Sequence, residues 1–269
     1  MHIVPEALIA GLVSPADAFS AIEACFAAMA RGEARNFPVV REALGGGRQY
    51  GFKSGLDAPG GQLGVKAGGY FPGNAARGIT NHQSTVYLFD PETGRPTAMV
   101  GGNLLTALRT AAASALSIDR LARRDARVLG ILGAGHQAQF QLRAAARVRA
   151  FERVVAWNRS PEKLGRLSAV AAELGLPFEA VSLDRLGAEA DVIIAIGTRL
   201  QDFTTGSWTA FSPEAQFISI NAARWDAVPT YVRYRPETGH IWIASYSAGF
   251  QILAFTPSAG PTAPKPTRR

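Results

Sequence analysis

A short glycine-rich segment stands between an apolar run at 127–132 and a predicted helix at 137–149. Its sequence is Gly133-Ala134-Gly135-His136-Gln137-Ala138. In a strand, turn and helix of this kind, the first glycine allows the turn, the second lets a pyrophosphate approach the backbone, and the third small residue packs the helix against the strand. The helix N-terminus offers free N–H groups to phosphate. The spacing therefore predicts a dinucleotide site formed by these six residues.

The segment after the next predicted strand, at 153–157, indicates which dinucleotide is bound. NAD sites usually have an Asp or Glu there, which binds the ribose 2′-OH and would repel a 2′-phosphate. This chain has neutral Asn158, then Arg159 to pair with a phosphate and Ser160 to hydrogen-bond it. We therefore predict NADP(H) as the preferred cofactor, with NAD(H) as the alternative. Gly197 and Thr198, which follow a predicted strand at 191–196, are assigned to the same site.

Composition indicates a globular protein large enough for two domains. The chain has 269 residues, 47% of them hydrophobic, and its net charge of +7 comes mostly from scattered arginines. The chain has neither an apolar run of about 18 residues nor a signal-peptide pattern, so we expect a cytoplasmic protein that binds no membrane. It also has no basic stripe for nucleic acid. The single Cys25 is predicted to be a core residue, and the four histidines have no metal-ligand spacing.

The elements that must position these residues change character along the chain. A helix capped by Ser14 is predicted to run to about Arg31 and is followed by antiparallel strands at 37–42, 48–54, 61–68 and 84–90. A second helix begins at Asn103 and continues towards Leu121. Helices then alternate with strands predicted at 127–132, 153–157, 178–181, 191–196 and 217–221.

This alternation predicts an α/β fold, in which a Rossmann-type doubly wound parallel sheet is joined to a separate α+β substrate or dimerisation domain. The expected boundaries are residues 1–108 for the substrate domain and 109–256 for the nucleotide domain. Residues 257–269 are proline-rich and basic, and we expect them to be disordered.

Four segments together resemble the ornithine cyclodeaminase/μ-crystallin family. They are Lys66-Ala-Gly-Gly-Tyr-Phe-Pro-Gly-Asn74, Phe89-Asp90 with Glu92-Thr-Gly-Arg-Pro96, the helix Leu105-Thr-Ala-Leu-Arg-Thr-Ala-Ala-Ala-Ser-Ala-Leu116, and the glycine fingerprint. The motif Leu-Thr-x-x-Arg-Thr-Ala-Ala is not a general feature of dinucleotide-binding folds, so the combination is specific. The resemblance extends from about residue 5 to about residue 221. It implies a homodimer that acts on a small amino or imino acid.

The same resemblance assigns three cations, Arg41, Lys66 and Arg109, to the substrate. Chemistry at an amino-acid C–N bond needs cations on the α-carboxylate and a group that handles the proton of the nitrogen. Arg109, on a rigid helix, suits bidentate carboxylate binding, and Lys66 could exchange a proton with the imine nitrogen if burial and nearby arginines lower its pKa. Lys66 and Arg109 are the candidate catalytic residues. Asn81 and His82 complete the candidate substrate site.

These residues favour an NADP(H)-dependent reductase of a cyclic imino acid such as Δ1-pyrroline-2-carboxylate. Ornithine cyclodeamination is the first alternative, but Lys53 stands where the resemblance implies an acidic residue and would repel a diamine. A non-catalytic NADP(H)-binding protein is the second, because Arg224 falls near an expected acidic position and the resemblance does not continue to Arg269. Without the usual C-terminal segment, we expect NADPH binding, weak catalysis and marginal stability.

Overall fold

The first hundred residues build a seven-stranded sheet in the computed structural model, which describes residues 1–196 and the backbone of three strands at 216–220, 231–235 and 240–244. The strands pair in the order β1-β7-β6-β5-β4-β2, and β3 also pairs with β4. All pairs are antiparallel except β1–β7. The strands are β1 (His2–Val4), β2 (Ala34–Asn36), β3 (Val40–Gly45), β4 (Arg48–Asp57), β5 (Gln62–Tyr70), β6 (His82–Phe89) and β7 (Pro96–Gly101).

Three helices accompany this sheet: α1 (Ile9–Leu12), α2 (Pro15–Ala30) and α3 (Asn103–Leu121). The Ser14 side chain accepts a hydrogen bond from the backbone of Asp17, whose carboxylate binds the Ser14 backbone in return, so a capping box starts α2 as predicted. The small residues of α3 are buried and allow close packing. They are Ala107, Ala111, Ala112, Ser114, Ala115 and Ser117.

The second sheet is five-stranded and parallel, in the order β10-β9-β8-β11-β12. The strands are β8 (Val128–Leu132), β9 (Arg153–Trp157), β10 (Phe178–Ala180), β11 (Val192–Ile196) and β12 (Gln216–Ile220). The helices between them are α4 (His136–Val148), α5 (Gly165–Glu173) and α6 (Leu183–Glu189). The order reverses at β8, and ligands of such folds bind beyond the carboxyl ends of the strands at this point. The predicted fold class, with its Rossmann-type doubly wound sheet, is confirmed.

Several details of the predicted elements are wrong. The first strand was placed at 37–42 but begins at Val40, because Pro38 has no N–H to give to a neighbouring strand. The three-residue strands β1 and β2 and the six-residue strand β7 were not predicted. Neither were β13 (Tyr231–Arg235) and β14 (His240–Ala244), which form an antiparallel pair. The remaining predicted strands and helices are confirmed to within a few residues.

The chain divides into two compact units, Met1–Ala223 and Arg224–Arg269. The proposed boundary between residues 108 and 109 lies inside α3 and stays a prediction. The tail predicted at 257–269 lies outside the described residues. Within the part of the chain that is described, no single helix is long and apolar enough to cross a membrane, although one bent pair, Glu6–Leu12 with Pro15–Ala30, passes that test by length and composition.

Candidate functional site

The glycine turn leaves an open surface at the N-terminus of α4. Gly133 has a φ of +99°, and a Cβ there would lie 2.4 Å from the Ile196 carbonyl oxygen, so this position requires glycine. A Cβ on Gly135 would meet nothing within 4 Å. Gly135 precedes the first residue of α4, His136, and no side chain caps the helix. Among the described residues, no side chain therefore caps the first N–H groups of α4, and this arrangement fits the pyrophosphate of a dinucleotide.

Two further residues of the fingerprint lie in the first turn of α4 and are buried at least in part. Ala138 is buried in the core between α4 and the parallel sheet, as expected for the third small position. Gln137 follows His136 in the first turn of α4, and its Oε1 is buried without a hydrogen-bond partner.

Asn158 braces the turn, a role that the sequence did not reveal. Its Oδ1 accepts a hydrogen bond from the Ala134 backbone N–H at 3.1 Å, and its Nδ2 donates to the Ser160 carbonyl at 2.7 Å. The amide thus ties the glycine turn to the end of β9. Arg159 between these residues is exposed and carries the positive charge of this segment. Gly197 and Thr198, also predicted for this site, lie outside the described residues.

Lys66 and Arg109 line one cavity. The cavity has a volume of about 510 Å³. Lys66 Nζ donates to Thr106 Oγ1 at 3.1 Å, and Thr106 Oγ1 in turn donates to the Gly102 carbonyl at 2.6 Å. Thr106, not predicted as a site residue, stands three positions before Arg109 in the helical motif of α3. The rest of the lining is Asp17 and the apolar side chains of Val13, Ala18, Ala21, Ile22, Val86, Leu105 and Leu108.

Burial and mutual repulsion weaken the basicity of these cations. Burial lowers the pKa of Lys66 to about 7, and the charges of Arg109, Lys53 and Arg41 add to the effect. The pKa of Lys53 is lowered to about 8, first by burial and then by the positive charges of Arg109 and Arg41. Burial also lowers the pKa of Arg109, although the side chains of Arg109 and Lys53 both reach solvent. Lys66 is half-buried, whereas Lys53, Arg41 and Arg109 are exposed.

His82 feels the charges of the cation cluster and of His136 at the start of α4. Burial lowers its pKa to about 4, and the further causes are Lys66, Arg109, Lys53 and, from the nucleotide side, His136. His82 is therefore neutral at pH 7. It lies on the same face of the first sheet as Lys66, because side chains alternate along β5 and β6 and the opposed pairs are Tyr70–His82 and Lys66–Val86.

The Asn81 side chain makes two hydrogen bonds to residues near it in the chain. Its Oδ1 accepts from the Ala75 N–H at 2.9 Å, and its Nδ2 donates to the Tyr70 hydroxyl at 3.3 Å. Its predicted contact with substrate stays a prediction.

Ser84, which the sequence did not mark as a site residue, lies on the same face as Lys66 and His82, and its hydroxyl is buried without a hydrogen-bond partner. Among the described residues, no group of three His, Cys, Asp or Glu side chains could hold a metal ion.

Comparison with known proteins gives a consistent result. Residues 6–225 match the model of the ornithine cyclodeaminase/mu-crystallin family, close to the predicted extent of the resemblance. The iminosuccinate reductase of Paracoccus denitrificans is 65% identical over 197 residues, which are 73% of this chain and 62% of that relative. The chain therefore spans less than two thirds of the length of this relative.

Two solved structures have the same fold. The crystal structure of the Paracoccus denitrificans iminosuccinate reductase in complex with NAD+ matches with a TM-score of 0.70 and 63% identity, over 75% of this chain and 63% of that one. The Thermococcus litoralis Δ1-pyrroline-2-carboxylate reductase in complex with NADH and L-proline matches with a TM-score of 0.69 and 26% identity, over 73% of this chain and 62% of the other.

Proposed function

Because the chain belongs to the ornithine cyclodeaminase/mu-crystallin family, we propose that it is an NAD(P)H-dependent reductase of small imino acids. The observation that carries this proposal is the joint position of Lys66 and Arg109 in one cavity, with His82 on the same face of the sheet as Lys66. An imino acid needs a cation for its carboxylate and a proton donor for its nitrogen, and both are available here.

In the proposed mechanism, a nicotinamide dinucleotide at the glycine turn supplies a hydride for the imine carbon. Arg109 binds the α-carboxylate through its planar guanidinium and so orients the C=N bond. Thr106 Oγ1 accepts a hydrogen bond from Lys66 Nζ and thereby fixes the direction of the ammonium group. The Lys66 pKa of about 7 suits proton transfer to the imine nitrogen at neutral pH. His82, being neutral at pH 7, adds no further charge to the cation cluster.

The substrate is an imino acid with an α-carboxylate, and two kinds are considered. A cyclic imine such as Δ1-pyrroline-2-carboxylate is favoured by the apolar cavity wall, which suits ring methylenes. A linear dicarboxylic imine is favoured by the likeness to an iminosuccinate reductase. Ornithine is disfavoured, because Lys53 and Lys66 would place further positive charge beside its second amino group.

For the cofactor, we propose NADPH ahead of NADH. Asn158 is occupied by the turn and carries no charge, so the segment repels no 2′-phosphate and offers it Arg159. The relative solved with NAD+ gives the opposite expectation, so the binding of both cofactors has to be titrated.

Arg159→Ala should reduce the ratio of NADPH affinity to NADH affinity by roughly five- to a hundredfold. Arg147→Ala, which removes an exposed arginine from α4, is the control. Equal affinity for both cofactors in the unmodified chain would reject the preference.

We further propose a homodimer, supported by apolar side chains exposed on the first sheet. Val40, Tyr50, Phe52 and Tyr87 are 49%, 39%, 42% and 36% exposed. They lie on the face opposite Lys53 and Lys66, because side chains alternate along β3, β4 and β6. A contiguous exposed apolar face is typical of a protein interface.

The proposed activity is tested by following NADPH and NADH oxidation with Δ1-pyrroline-2-carboxylate and with iminosuccinate formed in place from oxaloacetate and ammonium. We expect turnover of at least one imine by the unmodified chain. Arg109→Met should abolish it while leaving the melting temperature and NADPH affinity nearly unchanged, because Arg109 is exposed and its proposed role is to bind the substrate carboxylate. Cofactor binding with no turnover of either imine would favour a non-catalytic binding protein, and full activity of Arg109→Met would remove this residue from the site.

A further inference from the structure

The cation cluster contains a lysine that the proposed reduction does not use. Lys53 on β4 lies directly opposite Lys66 on β5 in the antiparallel register. Opposed residues of an antiparallel pair project to the same face, with Cβ atoms about 5 Å apart. Like charges in this position destabilise a sheet. The arrangement thus costs stability in the absence of a ligand.

The register adds a third cation to this face. Arg41 on β3 is paired with Gly51, two residues before Lys53 on β4, and Gly51 is in turn opposite Gly68 on β5. Neither glycine tolerates a side chain, because a Cβ would lie 2.1 Å from the Val40 carbonyl oxygen at Gly51 and 2.3 Å from the Gln83 carbonyl oxygen at Gly68. The Gly51–Gly68 pair, which is the next pair on the same face as Lys53 and Lys66, therefore has no side chain.

Among the described residues, negative charge is scarce around the two lysines. The charged groups that shift the pKa values of Lys53 and Lys66 are all cations, namely Arg41, Arg109 and, for Lys66, Lys53. Asp17 lines the cavity, but its carboxylate accepts hydrogen bonds from the Ser14 backbone at 2.9 Å and the Ser14 hydroxyl at 2.6 Å. One α-carboxylate, bound to Arg109 and close to Lys66, would leave the charge of Lys53 uncompensated.

We propose that Lys53 binds a second carboxylate of the substrate, with the charge of Arg41 beside it, so that the enzyme prefers a dicarboxylic imino acid over a cyclic monocarboxylic one. This inference rests on the proposed function. A distal carboxylate about one or two carbons from the α-carbon would neutralise the lysine pair across β4 and β5. Lys53 is then a specificity-determining residue, and hydride and proton transfer proceed as already described.

The first test compares kcat/KM for iminosuccinate and for Δ1-pyrroline-2-carboxylate in the unmodified chain, Lys53→Met and Lys53→Arg. Loss of one charge-assisted contact should lower the ratio of the two kcat/KM values by roughly five- to a hundredfold in Lys53→Met. Lys53→Arg keeps the charge and should restore most of the ratio. Arg147→Met removes an exposed cation from α4 and should leave the ratio unchanged. A ratio that does not change in Lys53→Met overturns the proposal.

A second test needs no turnover. The affinity of the protein for succinate and for butyrate, measured by calorimetry, should favour succinate in the unmodified chain, and this preference should disappear in Lys53→Met. Equal affinity for the two probes in the unmodified chain also overturns the second subsite. If neither imine is reduced but succinate is preferred through Lys53, the proposed reaction fails while the dianion site stands.

Discussion

At the scale of single residues, Lys66 meets two requirements of the proton donor that we propose it to be. Its ammonium group is oriented by Thr106 Oγ1 at 3.1 Å, and burial together with three nearby cations lowers its pKa to about 7. A lysine with the usual pKa near 10.4 would hold its proton too strongly to transfer it readily at neutral pH. With its lowered pKa, the Lys66 ammonium group can donate its proton more readily at neutral pH.

The pH dependence of reduction should follow this titration. Lys66 donates only when protonated, so kcat/KM for the cyclic imine should fall as the pH rises through about 7. In Lys53→Met a neighbouring positive charge is lost, so the pKa of Lys66 rises and the falling limb moves to higher pH. The imine substrate is the same in both proteins, so its own ionisation cancels in the comparison.

Lys66→Arg is the control for this profile. Arginine keeps the cation for substrate binding but does not give up its proton in this pH range, so kcat should fall far more than KM changes. A falling limb that stays at the same pH in Lys53→Met would show that another group controls it.

The residues that could be predicted from the sequence are those with a distinctive type at a distinctive spacing. The glycines of the turn, Lys66 and Arg109 are of this kind, and the structure places Lys66 and Arg109 in one cavity, while their roles stay predictions. Thr106 and Ser84 were missed because hydroxyl residues are common, and only the fold brings them beside Lys66. The bracing role of Asn158 was missed because the bond to Ala134 joins residues of two different strand ends.

At the scale of elements, helix α3 positions both Thr106 and Arg109, and its start is fixed from a distant part of the chain. The Glu6 carboxylate accepts hydrogen bonds from the Asn103 N–H at 3.0 Å and from the Leu104 N–H at 2.7 Å. Glu6 thus satisfies two of the free N–H groups at the helix N-terminus and complements its dipole.

Removing this carboxylate should loosen the first turn of α3. We predict that Glu6→Ala lowers the free energy of unfolding by about 1 kcal/mol and reduces kcat/KM, because Thr106 and Arg109 lie within the first two turns. Thermal unfolding and steady-state kinetics measure the two effects. Glu33→Ala is the matched control, since Glu33 only makes an exposed ion pair with Arg31, and such pairs contribute little. Equal stability of the two variants would contradict the capping role.

Elements were predictable where a local pattern is strong. Helix α2 has its capping box, α3 its run of small residues, and the buried strands of the second sheet their apolar runs. The strands β1 and β2 are three residues long, and their pairing partners are distant in the chain. No local period could reveal them. The contact of Glu6 with α3 spans almost a hundred residues and was hidden for the same reason.

At the scale of the whole molecule, the two faces of the first sheet carry different kinds of side chain. One face carries Lys53, Lys66 and His82 and belongs to the candidate site. The opposite face carries exposed apolar side chains, among them Phe52, whose ring meets that of Tyr50 edge-on at 5.7 Å between centroids. The sequence predicted the dimer only through a family resemblance, because an alternating strand does not reveal which face the rest of the chain leaves uncovered.

We predict that this apolar face joins two copies of the chain. Phe52→Glu would place a charge in the middle of the contact, where it has no partner and loses its hydration, so the dimer should dissociate to monomers. Light scattering after size-exclusion chromatography measures the mass directly. Ile79→Glu is the control, because Ile79 is equally apolar and 49% exposed but lies outside the strands of the sheet, and it should keep the mass of two chains. If the unmodified chain is a monomer at micromolar concentration, or if Phe52→Glu remains dimeric, the second copy does not bind at this face.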